Sequence, residues 1–175
     1  SLHHKNMEWF NQELQKRSNG RLSLEIFPAA QLMPIDQEIP NILQGQVDMS
    51  HSLTSIAGNF DPIWSLFDLP FIFNFDPKDP TVYSNHRLAF FRSENGGGKI
   101  AKTMEAKGLK VLSFATTDIF AGPWMTEDKV IKRPADAKGL TIRVPGGIVQ
   151  PEVPKAIGAS PAAISGAELP TALQQ

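Results

Sequence analysis

The chain has 175 residues, 41% of them hydrophobic and 20% charged, with a formal net charge of −1 and no cysteine. That length fits one ordinary domain or parts of two, and the composition reads as soluble and globular. The near-neutral balance argues against a nucleic-acid partner, no apolar run reaches the ~18–20 residues that span a bilayer, and disulfides, thiolate metal sites and Cys nucleophiles are excluded.

No signal peptide is visible. Ser1-Leu2-His3-His4 leads straight into helical periodicity, as a processed or truncated start would. Met7, Phe10 and Leu14 recur at helical spacing, and Asn19-Gly20 supplies a left-handed cap. Leu22, Leu24 and Ile26 then alternate with polar residues, predicting a strand that ends at Pro28. A helix is predicted over 36–44, with Pro40 distorting or delaying its first turn, and a short strand over 47–52.

The stretch 60–80 is dense in aromatics, and Pro62, Pro70, Pro77 and Pro80 prevent it from being one regular element. Its rings suit core packing better than a cofactor box, because Leu66, Leu69 and Ile72 lie among them. Helices are predicted at 81–92 and 98–107, and strands at 109–115, 120–126 and 141–144. A helix is expected over 147–157. Ser165 and Glu168 have capping-box spacing at the start of another that runs to Gln175. Alternating strands and helices imply an α/β fold with mainly parallel pairing and a domain crossing near 115–120.

Several chemistries find no support. "ENGGGKIA" (94–101) lacks the first glycine of a phosphate loop and has Ile100 after Lys99, so a flexible glycine lead-in to a helix is the better reading. No two of His3, His4, His51 and His86 have metal-ligand spacing around a carboxylate, so no metal is expected. No serine sits in a Gly-x-Ser-x-Gly elbow, and no pair of carboxylates is placed together. No catalytic residue and no cofactor are assigned.

In "KGLTIRVPGG" (138–147), Leu140, Ile142 and Val144 form one apolar strand face, and Arg143 projects from the other. A guanidinium offers two parallel donors to a carboxylate, which fixes direction as well as charge. From the strand alone, a surface arginine on an edge strand is the plainer alternative.

Six segments in order resemble one family: "SNGRLSLEIFPAAQL" (18–32), "ILQGQVDMS" (42–50), "DLPFIF" (68–73), "KGLKVLSF" (107–114), "RPADAKGLTIRVPGG" (133–147) and "IGASPAAISGAELPTALQQ" (157–175). The family is that of TRAP (tripartite ATP-independent periplasmic) solute-binding proteins of the dicarboxylate-binding kind. The resemblance implies the two-lobed α/β periplasmic binding protein fold (type II-like), incomplete at both ends. Residues 1–117 would form most of lobe one, and 118–175 the first part of lobe two.

The family's arginine in the "IRVP" motif, which binds the ligand carboxylate from lobe two, matches Arg143. Ser52 and Thr54 would line the lobe-one wall, with a helix N-cap as the rival role, and Trp124 would cover the ligand, with core packing as its rival. Phe71 and Phe73 are expected to pack beneath the cleft. Pro123 stands where some members carry a second arginine. Pro170 stands where an aromatic often follows Glu-Leu, and is expected to strain the second turn of the last helix.

The implied function is capture of a small organic acid in the periplasm, without covalent chemistry, and its delivery to the membrane subunits of a TRAP transporter. The protein itself is expected to be a monomer that does not span the membrane. A ligand-sensing module of a signalling system and an α/β hydrolase are the alternatives.

Overall fold

The computed structural model describes residues 2–79, 81–115 and 124–174, and the chain divides into two compact units, residues 1–34 and 35–175. In the first unit, α1 (Leu2–Arg17) places Lys16 and Arg17 in its last turn, where cations suit the negative helix end. Asn19 and Gly20 follow with φ of 54° and 75°, the left-handed stop their sequence predicts. The predicted strand at 22–26 does not form. It runs extended, but no ladder partner lies among the described residues of the unit. Instead Asn11 acts as a one-residue strand edge: its Oδ1 accepts from Leu24 N at 2.7 Å and its Nδ2 donates to Leu24 O at 3.1 Å.

The second unit opens with a 3₁₀ turn, Ile35–Gln37, that runs into α2 (Glu38–Leu43). Pro40 falls in the first helical turn, where its missing N–H is not needed, so the proline delays the helix rather than breaking it. Residues 47–52, predicted as a strand, are irregular. Then come α3 (Thr54–Phe60) and a 3₁₀ segment, Pro62–Asp68, started by Asp61, whose side chain accepts from Ile63 N. α4 (Thr81–Arg92) matches its predicted bounds.

The glycines of Glu94–Gly98 form a π-helical turn leading into α5 (Lys99–Glu105). They are there for close approach rather than flexibility. A Cβ on Gly97 would lie 2.2 Å from Phe91 O, and one on Gly96 2.6 Å from Phe90 O. Gly97→Ala is therefore expected to cost about 3 kcal/mol, at the upper end of overpacking because the obstacle is backbone. Gly98→Ala, whose nearest atom would be 3.4 Å away, should be neutral or slightly stabilising. Chemical denaturation of the two variants distinguishes these outcomes.

The aromatic stretch packs this part of the unit. Trp64, Phe67 and Phe73 join Ile39, Phe91, Ile100 and Met104 in one buried cluster. Phe91 stacks on Phe114 with centroids 4.6 Å apart and planes 3° from parallel. Trp64 Nε1 donates to Thr103 Oγ1 at 3.2 Å, so its one polar atom is satisfied. Phe114 reaches this core from 109–115, an extended segment predicted as a strand but without a ladder among the described residues. Phe71 overturns its expectation. It is 90% exposed with φ of 60°, while Phe73 alone packs inward. The predicted strand at 120–126 and the crossing near 115–120 lie mostly outside the described residues.

After residue 124, Thr141–Val144 forms β1 as predicted, and pairs in parallel with β2 (Ser160–Ala163). Ser160 N donates to Leu140 O, and Ile164 N to Val144 O. Pro161, one residue out of phase with those donors, loses no ladder bond. The connection carries α6 (Glu152–Ala156). It is much shorter than the predicted 147–157, because Gly146 and Gly147 turn the chain at φ of 110° and 96° and Pro151 sits at the N-cap. Ile142, Ala137 and Ala159 form a second buried cluster. α7 covers only Leu169–Ala172, and Pro170 falls in its first turn, so the expected strain in a second turn does not arise. The reciprocal Ser165–Glu168 hydrogen bonds form, with Ser165 Oγ donating to Glu168 Oε2 at 2.7 Å and Glu168 N donating to Ser165 Oγ at 3.3 Å, but three residues early: the N-cap of α7 is Glu168, not Ser165.

Candidate functional site

Arg143 sits on the half-buried face of β1, with Ile142 and Val144 buried on the other face. The alternation of the strand sets this direction. Its Nε donates to Ile164 O at 2.8 Å. Ile164 is the residue just past β2, held in turn by its own N–H to Val144 O. The two parallel strands thus fix the base of the guanidinium plane. Among the described residues this is the one hydrogen bond Arg143 makes, and no carboxylate pairs with it. Glu168, the first acid after Ile164, is engaged by Ser165 in the capping box instead.

A guanidinium has five N–H donors in a rigid fork. With Nε taken, four remain on the two terminal nitrogens. An acceptor arriving at Arg143 would therefore find its donors on the two terminal nitrogens rather than on Nε. Among the described residues β1 has β2 as its one neighbour, so Arg143 is a half-buried arginine on an edge strand, held through Nε and without an ion-pair partner.

The remaining candidates stand elsewhere. Thr54 is the first residue of α3, whose N-cap is Leu53, so neither Ser52 nor Thr54 is the helix cap. Ser52 Oγ is buried without a hydrogen-bond partner of standard geometry. It lies on the side of the Glu38 carboxylate, which burial pushes above the usual range while hydrogen bonds from Ser50 and Ser52 pull it back. Trp124 is partly exposed and is the first described residue after 116–123, the stretch that contains Pro123. The two best-formed cavities, of about 310 and 330 Å³, include none of Arg143, Ser52, Thr54 and Trp124 in their walls. The first is apolar, walled by Leu66, Ile72, Phe73, His86 and Phe90.

Asp68 is a functional candidate that the sequence did not flag, because DLPFIF reads as structural. Gln150 Nε2 donates to its Oδ1 at 3.2 Å across 82 positions of sequence, while its Oδ2 is buried and unpartnered. Burial pushes the Asp68 pKa up, and the bond from Gln150 only partly offsets this. A carboxyl raised in the folded state contributes its stability in full below the unfolded pKa and loses it as pH rises through the folded one. At neutral pH the charge is thus a burden. Asp68→Asn, which keeps an acceptor for Gln150, is expected to stabilise the fold at pH 7 by up to about 1 kcal/mol. The figure is held low because solvent reaches part of the group, and the gain should vanish near pH 3. Thermal melts at the two pH values check this.

β1, α6 and β2 make a parallel βαβ unit, and Arg143 near the end of its first strand has no ion-pair partner among the described residues. The chain belongs to the bacterial extracellular solute-binding protein family 7, whose model matches residues 1–175. It is 30% identical over 94% of its length to the 2,3-diketo-L-gulonate-binding periplasmic protein YiaO of Escherichia coli. It is 29% identical over 92% of its length to the C4-dicarboxylate-binding periplasmic protein DctP of Vibrio cholerae. The matches cover 47% and 45% of those proteins, so the chain spans about half the length of the curated relatives it matches.

Among solved structures, a TRAP periplasmic solute-binding protein from Desulfovibrio salexigens with bound orotic acid matches with a TM-score of 0.77 at 27% identity. That match covers 98% of this chain and 52% of that one. One from Shewanella oneidensis with bound succinate gives 0.75 at 26%, covering 96% and 51%. The fold is therefore that of the two-lobed α/β periplasmic binding proteins, as the sequence resemblance implies. The relatives named are binding proteins, and neither a hydrolase nor a sensor is among them. No helix among the described residues is long and apolar enough to cross a membrane.

Proposed function

We propose that this chain belongs to a periplasmic solute-binding protein of a TRAP transporter. Its ligand is a small organic acid, held between a first lobe within 1–117 and a second that begins within 118–175. The acid is passed to the transporter's membrane subunits without covalent change. The observation that carries the reading is Arg143, with its Nε on Ile164 O and no hydrogen bond from its terminal nitrogens among the described residues. Ligand shifts the two lobes toward closure by contacting both of them. Ser52 and Thr54 would contribute hydroxyls from the first lobe, and Trp124 an apolar cover. The bound orotic acid, the bound succinate and the two named acids of the relatives support a carboxylate as the shared chemistry.

The test is a thermal-shift panel on the full-length protein: succinate, orotate and 2,3-diketo-L-gulonate, with succinamide and orotamide as uncharged controls. A ligand at one hundred times its Kd adds about 2.7 kcal/mol of stability. One acid should raise Tm while its amide does not. An amide as effective as its acid would contradict the carboxylate reading.

A further inference from the structure

The two buried clusters of residues 35–174 share no residue. The segment Pro145–Gln150 leaves β1 directly after Arg143-Val144 and lies against the part of the unit that holds the aromatic cluster. A Cβ on Gly147 would lie 3.0 Å from Ser55 O, at the start of α3. Three residues on, Gln150 donates to Asp68, at the end of the 3₁₀ segment. Between these two points, Ile148 and Val149 face Ile63, Leu66 and Leu69 across an apolar gap of about 330 Å³, and Ile148, Ile63 and Leu69 stay exposed.

The join is therefore Gly146 and Gly147 against Ile56 and the Ser55 backbone at one end, a hydrogen bond at the other, and an open apolar groove between. Interiors are close-packed, and a surface of this kind is not an interior. It leaves one buried carboxylate oxygen of Asp68 unpartnered. Interfaces between domains of one chain resemble those between transiently associating proteins, so relative motion across them is the default expectation.

We propose that Pro145–Gln150 is a closure latch, in which the Gly147–Ser55 contact and the Gln150–Asp68 hydrogen bond form when the strand carrying Arg143 closes on α3 and residues 62–68, and part when it opens. This rests on the two-lobe reading above. It adds that part of the closing free energy is built into the chain and does not come from the ligand. Both contacts lie within seven residues of Arg143, so a movement of its strand away from α3 pulls directly on them. Gly147 carries the close approach: any side chain there meets the Ser55 backbone and is also strained by the positive φ.

The experiment uses the full-length protein with paired spin labels on Lys102→Cys and Lys155→Cys, both exposed, in a stretch without native cysteine. Pulsed dipolar distances are recorded without ligand, and with succinate, orotate or 2,3-diketo-L-gulonate. Two distance populations are expected. Gln150→Leu should reduce the ratio of short to long by about tenfold, the worth of one hydrogen bond to a charged group. Gly147→Ala should reduce it further, while Asp68→Asn, which keeps an acceptor but not the charge, should reduce it less than Gln150→Leu does. Circular dichroism of each variant verifies the fold. A distance distribution that neither Gln150→Leu nor Gly147→Ala moves, in folded protein under every one of these conditions, overturns the latch. If the variants shift the populations but no acid does, the latch stands and the organic-acid reading falls.

Discussion

Replacing Arg143 by alanine in the full-length protein is expected to weaken acid binding by about one hundredfold or more while leaving the fold intact. Truncating one member of a hydrogen-bonded charge pair costs about 2–5 kcal/mol, largely because the carboxylate is left desolvated and unpaired. The fold should survive because, among the described residues, Arg143 makes one hydrogen bond, to Ile164 O. The ladder bond from Ile164 N to Val144 O, and the buried Ile142 and Val144, do not depend on its side chain. Arg143→Lys separates charge from geometry. An ammonium keeps the charge but has no planar fork and no Nε to anchor it, so a partial loss of about tenfold is expected. Isothermal titration with the acid identified by thermal shift measures both variants. Undiminished affinity in Arg143→Ala would remove the residue from the site.

Phe91→Ala should be the most destabilising single change, at about 3–5 kcal/mol, and should act without touching the ligand. Phe91 is buried at the end of α4, where its ring meets Phe67 at 5.1 Å, Phe73 at 6.4 Å and Phe114 at 4.6 Å between centroids. Its backbone is also packed against Gly97, which holds the end of α4 in place when the ring is removed. The cavity therefore stays open, which places the cost high in the range for such truncations. Urea denaturation of the full-length variant reads this directly. A loss below 1 kcal/mol would show that the aromatic cluster rearranges, contrary to the close packing described here.

Elements whose signal is local were legible in the sequence. The stop of α1 at Asn19-Gly20, the bounds of α4, the alternation of β1 and the Ser165–Glu168 box all come from short-range backbone chemistry. Strands 22–26, 47–52 and 109–115 were not, because alternation reports a half-buried extended chain and not a partner to pair with. Asn11 meets Leu24 in place of a strand, and Phe114 enters the core from an unpaired segment. β2 escaped notice because Ser-Pro-Ala-Ala has no β-branched residue, and its strand character comes from β1 beside it.

The site follows the same division. Arg143 could be found from alternation and motif, but its orientation depends on Ile164, a backbone carbonyl that leaves no sequence mark. Gln150 was read as part of a helix, and Asp68 as part of a structural hexapeptide. Their meeting is a tertiary fact. Phe71 shows the limit of composition, since an aromatic beside Phe73 in the same motif points the other way.

The central claim is that Arg143 receives a carboxylate end-on. A crystal structure of the full-length protein, grown with the acid that raises its Tm, tests this most directly. Both terminal nitrogens of Arg143 are expected within hydrogen-bonding distance of the two carboxylate oxygens, with Nε still on Ile164 O. An acid bound with its carboxylate on other residues, and Arg143 facing solvent or an internal acid, would contradict it.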